Sequence, residues 1–453
     1  MKTAIAQISQ ISPKKELLQN RLVITGLEGK KPLAGTIRIS GAKNAALKAM
    51  AAAVLFDGPV TLENVPDTAD IHTLAEILIR LGAKVAFEKD HTFTVTIDPT
   101  TIAGTAIDAE SAKTMRGSVV LTGPLLARFG RATFPAPGGC VIGARPIDLF
   151  LEGYKKMGAA VSENGQYDIE AASGLAGAEI SFEKISVGAT ETLMMAAVLA
   201  RGTTTLKNCA MEPEIVNVAE WLNSCGADIR GAGTPTIAIV GTAGKLLKPS
   251  ASYVTIPDRI EAGSYLFLGA LCASELVIEN CRPDHLQAPI ELLKKAGVPI
   301  ETTADSIRIV GNDGPNTSFK AFDLKTKEYP GFATDLQAQA VVFLTQASGK
   351  SDVYESIFEG RFKYVADLAR MGAAIEQTSQ REVRIEGPAD IHALPEGEQL
   401  NAHDIRAGFA MVMAALVATG RTALSNIHLI DRGYESIEAK LSALGAKIER
   451  VNN

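Results

Sequence analysis

"LGAKV", residues 81–85, closes a stretch of helical periodicity, and near copies of it return five more times along the chain. They are "MGAAV" (157–161), "CGADI" (225–229), "AGVPI" (296–300), "MGAAI" (371–375) and "LGAKI" (444–448). Their glycines are Gly82, Gly158, Gly226, Gly297, Gly372 and Gly445, separated by 76, 68, 71, 75 and 73 residues. The small residue that ends each Ala/Leu/Val-rich run gives a second series: Gly58, Gly130, Gly202, Ser274, Gly349 and Gly420, with steps of 72, 72, 72, 75 and 71. Two interleaved series with a common period predict six repeats of about seventy residues.

Each repeat reads alike. An apolar helix, such as "NAALKAMAAAVL" (44–55) or "ETLMMAAVLA" (191–200), is hydrophobic nearly all round and is expected to be buried. A short β-branched strand follows, as in "PVTLENV" (59–65). An amphipathic helix, "DIHTLAEILIRLGA" (70–83) in the first repeat, then stops at the recurring glycine. One or two strands close the unit, as "KVAFEKD" (84–90) and "TFTVTID" (92–98) do. The fold class is therefore α/β, built from β-α-β-α-β-β units with one helix in the core and one at the surface. Six units exceed what one core serves, so two domains of three units are expected. The expected boundaries are a loose extension over 1–20, a domain over 44–256, and a discontinuous second domain made of 21–43 and 257–453. The opening strand, "LVITG" (22–26), precedes the first helix and is expected to complete the last sheet.

Of the 453 residues 46% are hydrophobic and 21% charged, with a net charge of -6. That balance disfavours nucleic acid or an anionic membrane as the main partner, while a small anionic substrate could still be held by a few convergent cations. The five cysteines are irregularly spaced and the six histidines scattered, so neither a disulfide framework nor a metal site is expected. The N-terminus is too polar for a secretory signal, and no apolar run approaches the roughly 18 to 20 residues of a membrane span, so the expected location is cytoplasmic.

Counting back fourteen positions from each marker lands on Asn44, Arg116, Gly188, Ile260, Asp335 and Arg406, at the start of each buried helix, with Lys43 and Asp258 close by. A cation there opposes the helix dipole unless it has a partner or a bound anion, and a phosphate or carboxylate would resolve the conflict. Lys43, Arg116, Asp335 and Arg406 recurring in frame favour a shared site over snorkelling side chains. From marker to repeated glycine the six distances are 24, 28, 24, 23, 23 and 25, and the longest holds "PAPGGCVIGARP" (135–146). Its glycines suit a lid, and Cys140 near Arg145 suits a nucleophile or general acid. In the third repeat, Glu212 and Glu214 occupy the equivalent loop and read as solvated or salt-bridged. His285, His403 and His428 read as structural or surface residues. No phosphate-binding glycine loop or zinc-helix motif is present.

Several stretches carry a resemblance: "SGAKNAA" (40–46), "KTMRGS" (113–118), "PGGCVIGARPIDL" (137–149), "KISVGATET" (184–192), "EPEIV" (212–216), "PDRIEAG" (257–263), "ATDLQAQ" (333–339), "FEGRF" (358–362) and "IDRGYE" (430–435). Together they resemble the bacterial UDP-N-acetylglucosamine enolpyruvyl transferases, in the family's order, from about residue 22 to the C-terminus. The Cys loop is the most specific match. Phe150 stands where the family can have His, Ala333 where Pro usually precedes "TD", Gly117 where Ala is more frequent, and Val120 where some members have an aromatic residue.

The resemblance implies a two-domain inside-out α/β barrel with its active site in the interdomain cleft. It implies transfer of the enolpyruvyl group of phosphoenolpyruvate to the 3′-hydroxyl of UDP-N-acetylglucosamine, with phosphate released by addition and elimination. It implies no cofactor and no metal, small-molecule substrates as partners, and a monomer or weak homo-oligomer. Cys140, Asp335, Lys43 and Arg432 carry the implied catalytic roles: Cys140 protonates the vinyl carbon and Asp335 is the base near the sugar hydroxyl. Lys43, Asn44, Arg145, Arg361, Arg406 and Arg432 are the implied contacts to phosphoenolpyruvate. For the nucleotide sugar they are Asn44, Arg116, Arg145, Pro146, Ile147, Asp148, Leu149, Lys184, Ser186, Val187, Gly188, Asp335 and Ile357. Three other readings stay open: the sister shikimate-3-phosphate enolpyruvyl transferases, which do not share the Cys loop; an RNA 3′-phosphate cyclase, which would predict a basic surface; and a non-catalytic paralogue that binds the nucleotide sugar.

Overall fold

The computed structural model describes residues 20–89, 92–135, 147–311 and 319–452. They form two compact units, one from the described residues between 41 and 256, the other from 20–40 with those after 256. The division falls between Ser40 and Gly41, so Lys43, which opens the helix Lys43–Ala52, stands in the first unit with the rest of its helix.

All six repeated glycines have left-handed backbones, with φ from +89° at Gly158 to +106° at Gly82. A side chain would be strained there, so each glycine ends its surface helix and turns the chain into the next strand. The helices that precede the second series, Gly58 to Gly420, are buried as their composition predicts. In Val187–Val198 every residue from Ala189 onward is buried, Glu191 among them. Each unit packs such helices into its own hydrophobic cluster, where truncating a residue such as Leu193 to Ala would cost about 2–5 kcal/mol.

Three sheets belong to each unit among the described residues. Five have four strands and one has three. The pattern is set by Tyr253–Val254, Val60–Glu63, Phe93–Asp98 and Lys84–Lys89, in that spatial order, the first pair parallel and the others antiparallel. The three-stranded sheet, Arg131–Pro135, Gln166–Glu170 and Ala160–Glu163, has a single parallel bridge, Ala106 to Thr133, where the others have an entry strand.

Entry strands are exchanged at the two chain crossings. Leu33–Arg38, which comes before the first helix, pairs in parallel with Ala273–Glu279 of the second unit. Tyr253–Val254, which comes before the helix Arg259–Cys272, pairs with Val60–Glu63 of the first. Arg21–Thr25 lies antiparallel between Arg421–Ser425 and Ile448–Val451, so the chain's first described strand and its last share a sheet.

A third recurring residue escapes the spacing analysis. Asn64, Asn208, Asn280 and Asn426 end the strands after four of the buried helices, each with φ between +52° and +58°. Asn tolerates this backbone. In three of them the side-chain amide donates to the segment entering the sheet: Asn64 to the Thr255 carbonyl at 2.8 Å, Asn208 to Phe182 at 2.9 Å and Asn280 to Ile39 at 2.7 Å.

Candidate active site

Every residue found fourteen positions before a marker stands at a helical start. Asn44, Gly188, Ile260 and Arg406 are the second residues of Lys43–Ala52, Val187–Val198, Arg259–Cys272 and Ile405–Val417. Arg116 opens the 3-10 turn Arg116–Leu121, and Asp335 is the middle residue of the turn Thr334–Leu336. Three of these starts are capped by the preceding polar side chain. Ser186 accepts from the Ala189 amide at 3.2 Å, Asp258 from Ile260 and Glu261 at 2.8 and 3.0 Å, and Asp404 from Arg406 and Ala407 at 2.7 and 2.9 Å.

In the second unit, Asp335, Arg361 and Arg406 are brought together. Asp335 Oδ1 accepts from Arg406 Nε at 3.0 Å and lies 3.6 Å from an Arg361 Nη. The other Arg361 Nη is 3.7 Å from Asp404, the cap of the next helix. Both guanidiniums are nearly inaccessible, while about a third of the Asp335 side chain (31%) still meets solvent. Burial pushes the Asp335 carboxyl up, but Arg406 and Arg361, with Arg259 behind them, outweigh it and hold the group well below the usual carboxylate range. Desolvation pulls the Arg406 guanidinium down, and Tyr434, Asp335 and Asp258 more than reverse that, so it stays charged. Its plane lies over the Tyr434 ring at 5.3 Å.

A residue the sequence did not single out organises the adjoining loop. Glu355 is fully buried and accepts from Thr326 Oγ1 at 3.0 Å, Thr334 Oγ1 at 2.9 Å, and the amides of Ile357 and Phe358 at 2.8 and 3.0 Å. It therefore fixes Ile357, the start of the "FEGRF" turn that carries Arg361, and the residue before Asp335. Arg432 follows the short helix His428–Asp431 and is half-buried.

In the first unit Lys43 is buried and its ammonium meets Asp70 Oδ2 at 2.9 Å. Asp70 answers the question raised by a lysine at a helix start, and the sequence hid it on a helix read as a surface element. Arg116 is half-buried and Lys184 exposed. Ile147 is buried at the start of Asp148–Lys156, with Asp148 exposed and Leu149 intermediate. Phe150 is buried against the start of Val187–Val198: a Cβ on Gly188 would come within 3.1 Å of its ring. Cys140, Arg145 and Pro146 lie outside the described residues, as do the 1–19 extension and the rest of the Cys loop.

The four described cysteines are buried, and burial pushes the thiols of Cys209, Cys272 and Cys281 up to about 11, 12 and 12. Such thiols are inert at neutral pH. His403 bonds Asp367 at 2.9 Å in a structural pair. Of the two readings of Glu212 and Glu214, solvated or salt-bridged, solvation is excluded: they are 7% and 4% exposed, because Pro213–Ser224 starts there and turns its first residues inward. Among the described residues no group of three or more His, Cys, Asp or Glu is placed to hold a metal ion, and no helix is long and apolar enough to cross a membrane.

The profile of the EPSP synthase (3-phosphoshikimate 1-carboxyvinyltransferase) family matches residues 27–441. The chain is 44% identical over 427 residues to the UDP-N-acetylglucosamine 1-carboxyvinyltransferase of Koribacter versatilis, covering 94% of this chain and 96% of the relative. It is 46% identical over 428 residues to UDP-N-acetylglucosamine 1-carboxyvinyltransferase 2 of Carboxydothermus hydrogenoformans, covering 94% and 99%. Among solved structures, the enolpyruvyl transferase NikO from Streptomyces tendae superposes with a TM-score of 0.85 at 26% identity, covering 96% of this chain and 99% of that one. EPSP synthase from Acinetobacter baumannii superposes with a TM-score of 0.68 at 18% identity, covering 96% and 100%, a likeness of fold.

Proposed function

This chain belongs to the EPSP synthase family and, within it, to the UDP-N-acetylglucosamine 1-carboxyvinyltransferases, and from that premise we propose how its residues divide the work. The reaction joins the enolpyruvyl group of phosphoenolpyruvate to the 3′-hydroxyl of UDP-N-acetylglucosamine and releases phosphate, a step of peptidoglycan synthesis. The observation that carries the assignment of roles is the Asp335 carboxylate held between two buried guanidiniums.

Adding an alcohol across the vinyl bond requires one proton delivered to carbon and one removed from oxygen. It also requires cations for a substrate with about three negative charges. In this reading Lys43, Arg361, Arg406, Arg432 and Arg145 hold the phosphate and carboxylate of phosphoenolpyruvate. Asp335 receives the proton of the sugar hydroxyl, and Cys140 delivers one to the methylene carbon, giving a tetrahedral ketal. Loss of phosphate and of a methyl proton from that ketal restores the enol ether.

Asp335 as found is a weak base, because two guanidiniums hold its proton affinity down. An incoming carboxylate or phosphate on Arg361 and Arg406 shares those charges and raises that affinity when the acceptor arrives. One substrate thus prepares the base for the other. Asn44, Arg116, Lys184, Ser186, Val187, Gly188 and the 145–149 run contact the nucleotide sugar in the first unit, and Asp335 and Ile357 do so in the second. The inside-out α/β barrel of six repeats expected of the family is the form we propose for this fold. The cytoplasm is the proposed location.

The test is product analysis by mass spectrometry, with Cys140→Ser in parallel. The wild type should yield the carboxyvinyl ether of UDP-N-acetylglucosamine. Cys140→Ser should bind the nucleotide sugar and turn over severely more slowly. Near-normal turnover in that variant would remove Cys140 from the mechanism.

A further inference from the structure

The first unit contains an ion pair that the reaction as described leaves unused. Lys48 Nζ lies 2.8 Å from Glu191 Oε2, with the lysine 16% and the glutamate 1% exposed. Glu191 Oε1 finds no hydrogen-bond donor among the described residues. Glu212 and Glu214 face the same carboxylate from the start of Pro213–Ser224, and Tyr253 does so from Tyr253–Val254. The turn Arg116–Leu121 and the helices Thr122–Phe129 and Asp148–Lys156 also pack against Val187–Val198, and bring Arg116 and the Thr122–Tyr154 hydroxyl pair, 2.8 Å apart.

As a stability device this is a poor arrangement. The Glu191 carboxylate is buried with one of its oxygens lacking a donor among the described residues, and burial of ions is repaid only where hydrogen bonds saturate them. An apolar pair of the same volume would hold the helices as well or better. Local frustration of this kind, kept inside a well-packed unit, points to use rather than to folding.

Its position says what the use is. Lys48 is four residues beyond Asn44 on one helix, and Glu191 is four beyond Val187 on another. Residues four apart lie on one face, about 6 Å along the axis. The pair therefore ties together two helices one turn below the ends that carry Asn44, Val187 and Gly188. We propose that Lys48 and Glu191 are positioning residues for the nucleotide-sugar end of the first unit, and that binding of the nucleotide sugar there is coupled to uptake of a proton by this carboxylate. The inference rests on the nucleotide-sugar reading above.

The coupling follows from charge. A diphosphate brought to these helix ends disfavours a second anion one turn below, so binding favours the protonated carboxylate. Glu191 is poised for it: burial, with Glu214 and Glu212 adding to it, outweighs Lys48 and pushes its carboxyl up to about 7. A sugar nucleotide is a good probe because its diphosphate diester does not titrate near neutrality.

The experiment is titration calorimetry with UDP-N-acetylglucosamine at slightly alkaline pH, in two buffers of different ionisation enthalpy, which reads protons taken up per ligand bound. The wild type should take up a fraction of a proton. Glu191→Gln should take up none and bind on the order of tenfold more weakly. Lys48→Arg should restore most of the affinity lost in Lys48→Met. The double variant Lys48→Met/Glu191→Leu removes both charges together, so it folds even where a single change leaves a buried ion alone. It should melt at or above the wild type while losing proton uptake and affinity. Unchanged proton uptake in Glu191→Gln, or wild-type affinity in the double variant, would overturn the assignment. Failure of the wild type itself to bind this ligand would instead overturn the nucleotide-sugar reading, and the assignment with it.

Discussion

Ten positions before each marker, the two units solve the same packing problem differently. The first unit has Lys48, Val120 and Thr192 there, and the second has Ser264, Gln339 and Ala410. In the second unit the polar residues are neutral and bonded to one another. Gln339 Nε2 donates to Ser264 Oγ at 3.1 Å and to the Tyr434 hydroxyl at 3.3 Å, while Ser264 and Tyr434 lie 2.8 Å apart. At its helix starts Asp335 and Asp404 stand against Arg361 and Arg406. The first unit instead buries an ion pair one turn deeper, with extra carboxylates around it. A neutral, mutually bonded network costs little and specifies packing, whereas an under-bonded ionic one is retained for what its charge does.

The sharpest way to break this contrast is at the helix starts. Asp335→Asn preserves shape but removes the charge between the guanidiniums, and turnover should fall by about 10³-fold or more with the fold retained, as read by steady-state phosphate release. A drop of less than tenfold would move the base elsewhere.

Next is the buried carboxylate. The folded-state Glu191 group, raised from 4.5 to about 7, binds its proton to higher pH than the unfolded chain does. Its contribution to stability is therefore fully present below 4.5 and is lost as pH rises through about 7. Glu191→Gln has no such dependence. Denaturant unfolding at about pH 5 and about pH 8 should show a decline smaller by about 3 kcal/mol in the variant. Parallel declines would place the titrating group elsewhere.

Gln339→Leu probes the neutral network. It should cost about 1 kcal/mol and leave turnover and its pH dependence unchanged, since Ser264 and Tyr434 keep each other. A pH-dependent defect would erase the distinction between the units. The smallest effect belongs to the exposed cross-strand pair of Arg384 and Asp352, 2.8 Å apart, where Arg384→Ala should shift stability by no more than about 0.5 kcal/mol.

What was legible in the sequence follows from which constraints are local. A helix that must stop in a left-handed turn demands glycine, so Gly82 and its five counterparts could be read directly. The same register located Asn44, Arg116, Gly188, Ile260, Asp335 and Arg406, and the ions Arg116, Asp335 and Arg406 stood out at the heads of apolar helices. Asp70, Glu191 and Glu355 were not legible. Each sits among residues that look ordinary, and its importance comes from a partner in another element. Glu212 and Glu214 could be read as either solvated or salt-bridged, because only the inward turn of Pro213–Ser224 removes them from water. The exchanged strands Leu33–Arg38 and Tyr253–Val254 also escaped, since each pairs with a strand roughly two hundred residues away.

The central claim, that this chain moves an enolpyruvyl group onto a nucleotide sugar, is tested most directly by phosphate release from phosphoenolpyruvate with UDP-N-acetylglucosamine or shikimate-3-phosphate as acceptor. The account predicts release with the nucleotide sugar alone. Release with shikimate-3-phosphate, or none with UDP-N-acetylglucosamine, would contradict it.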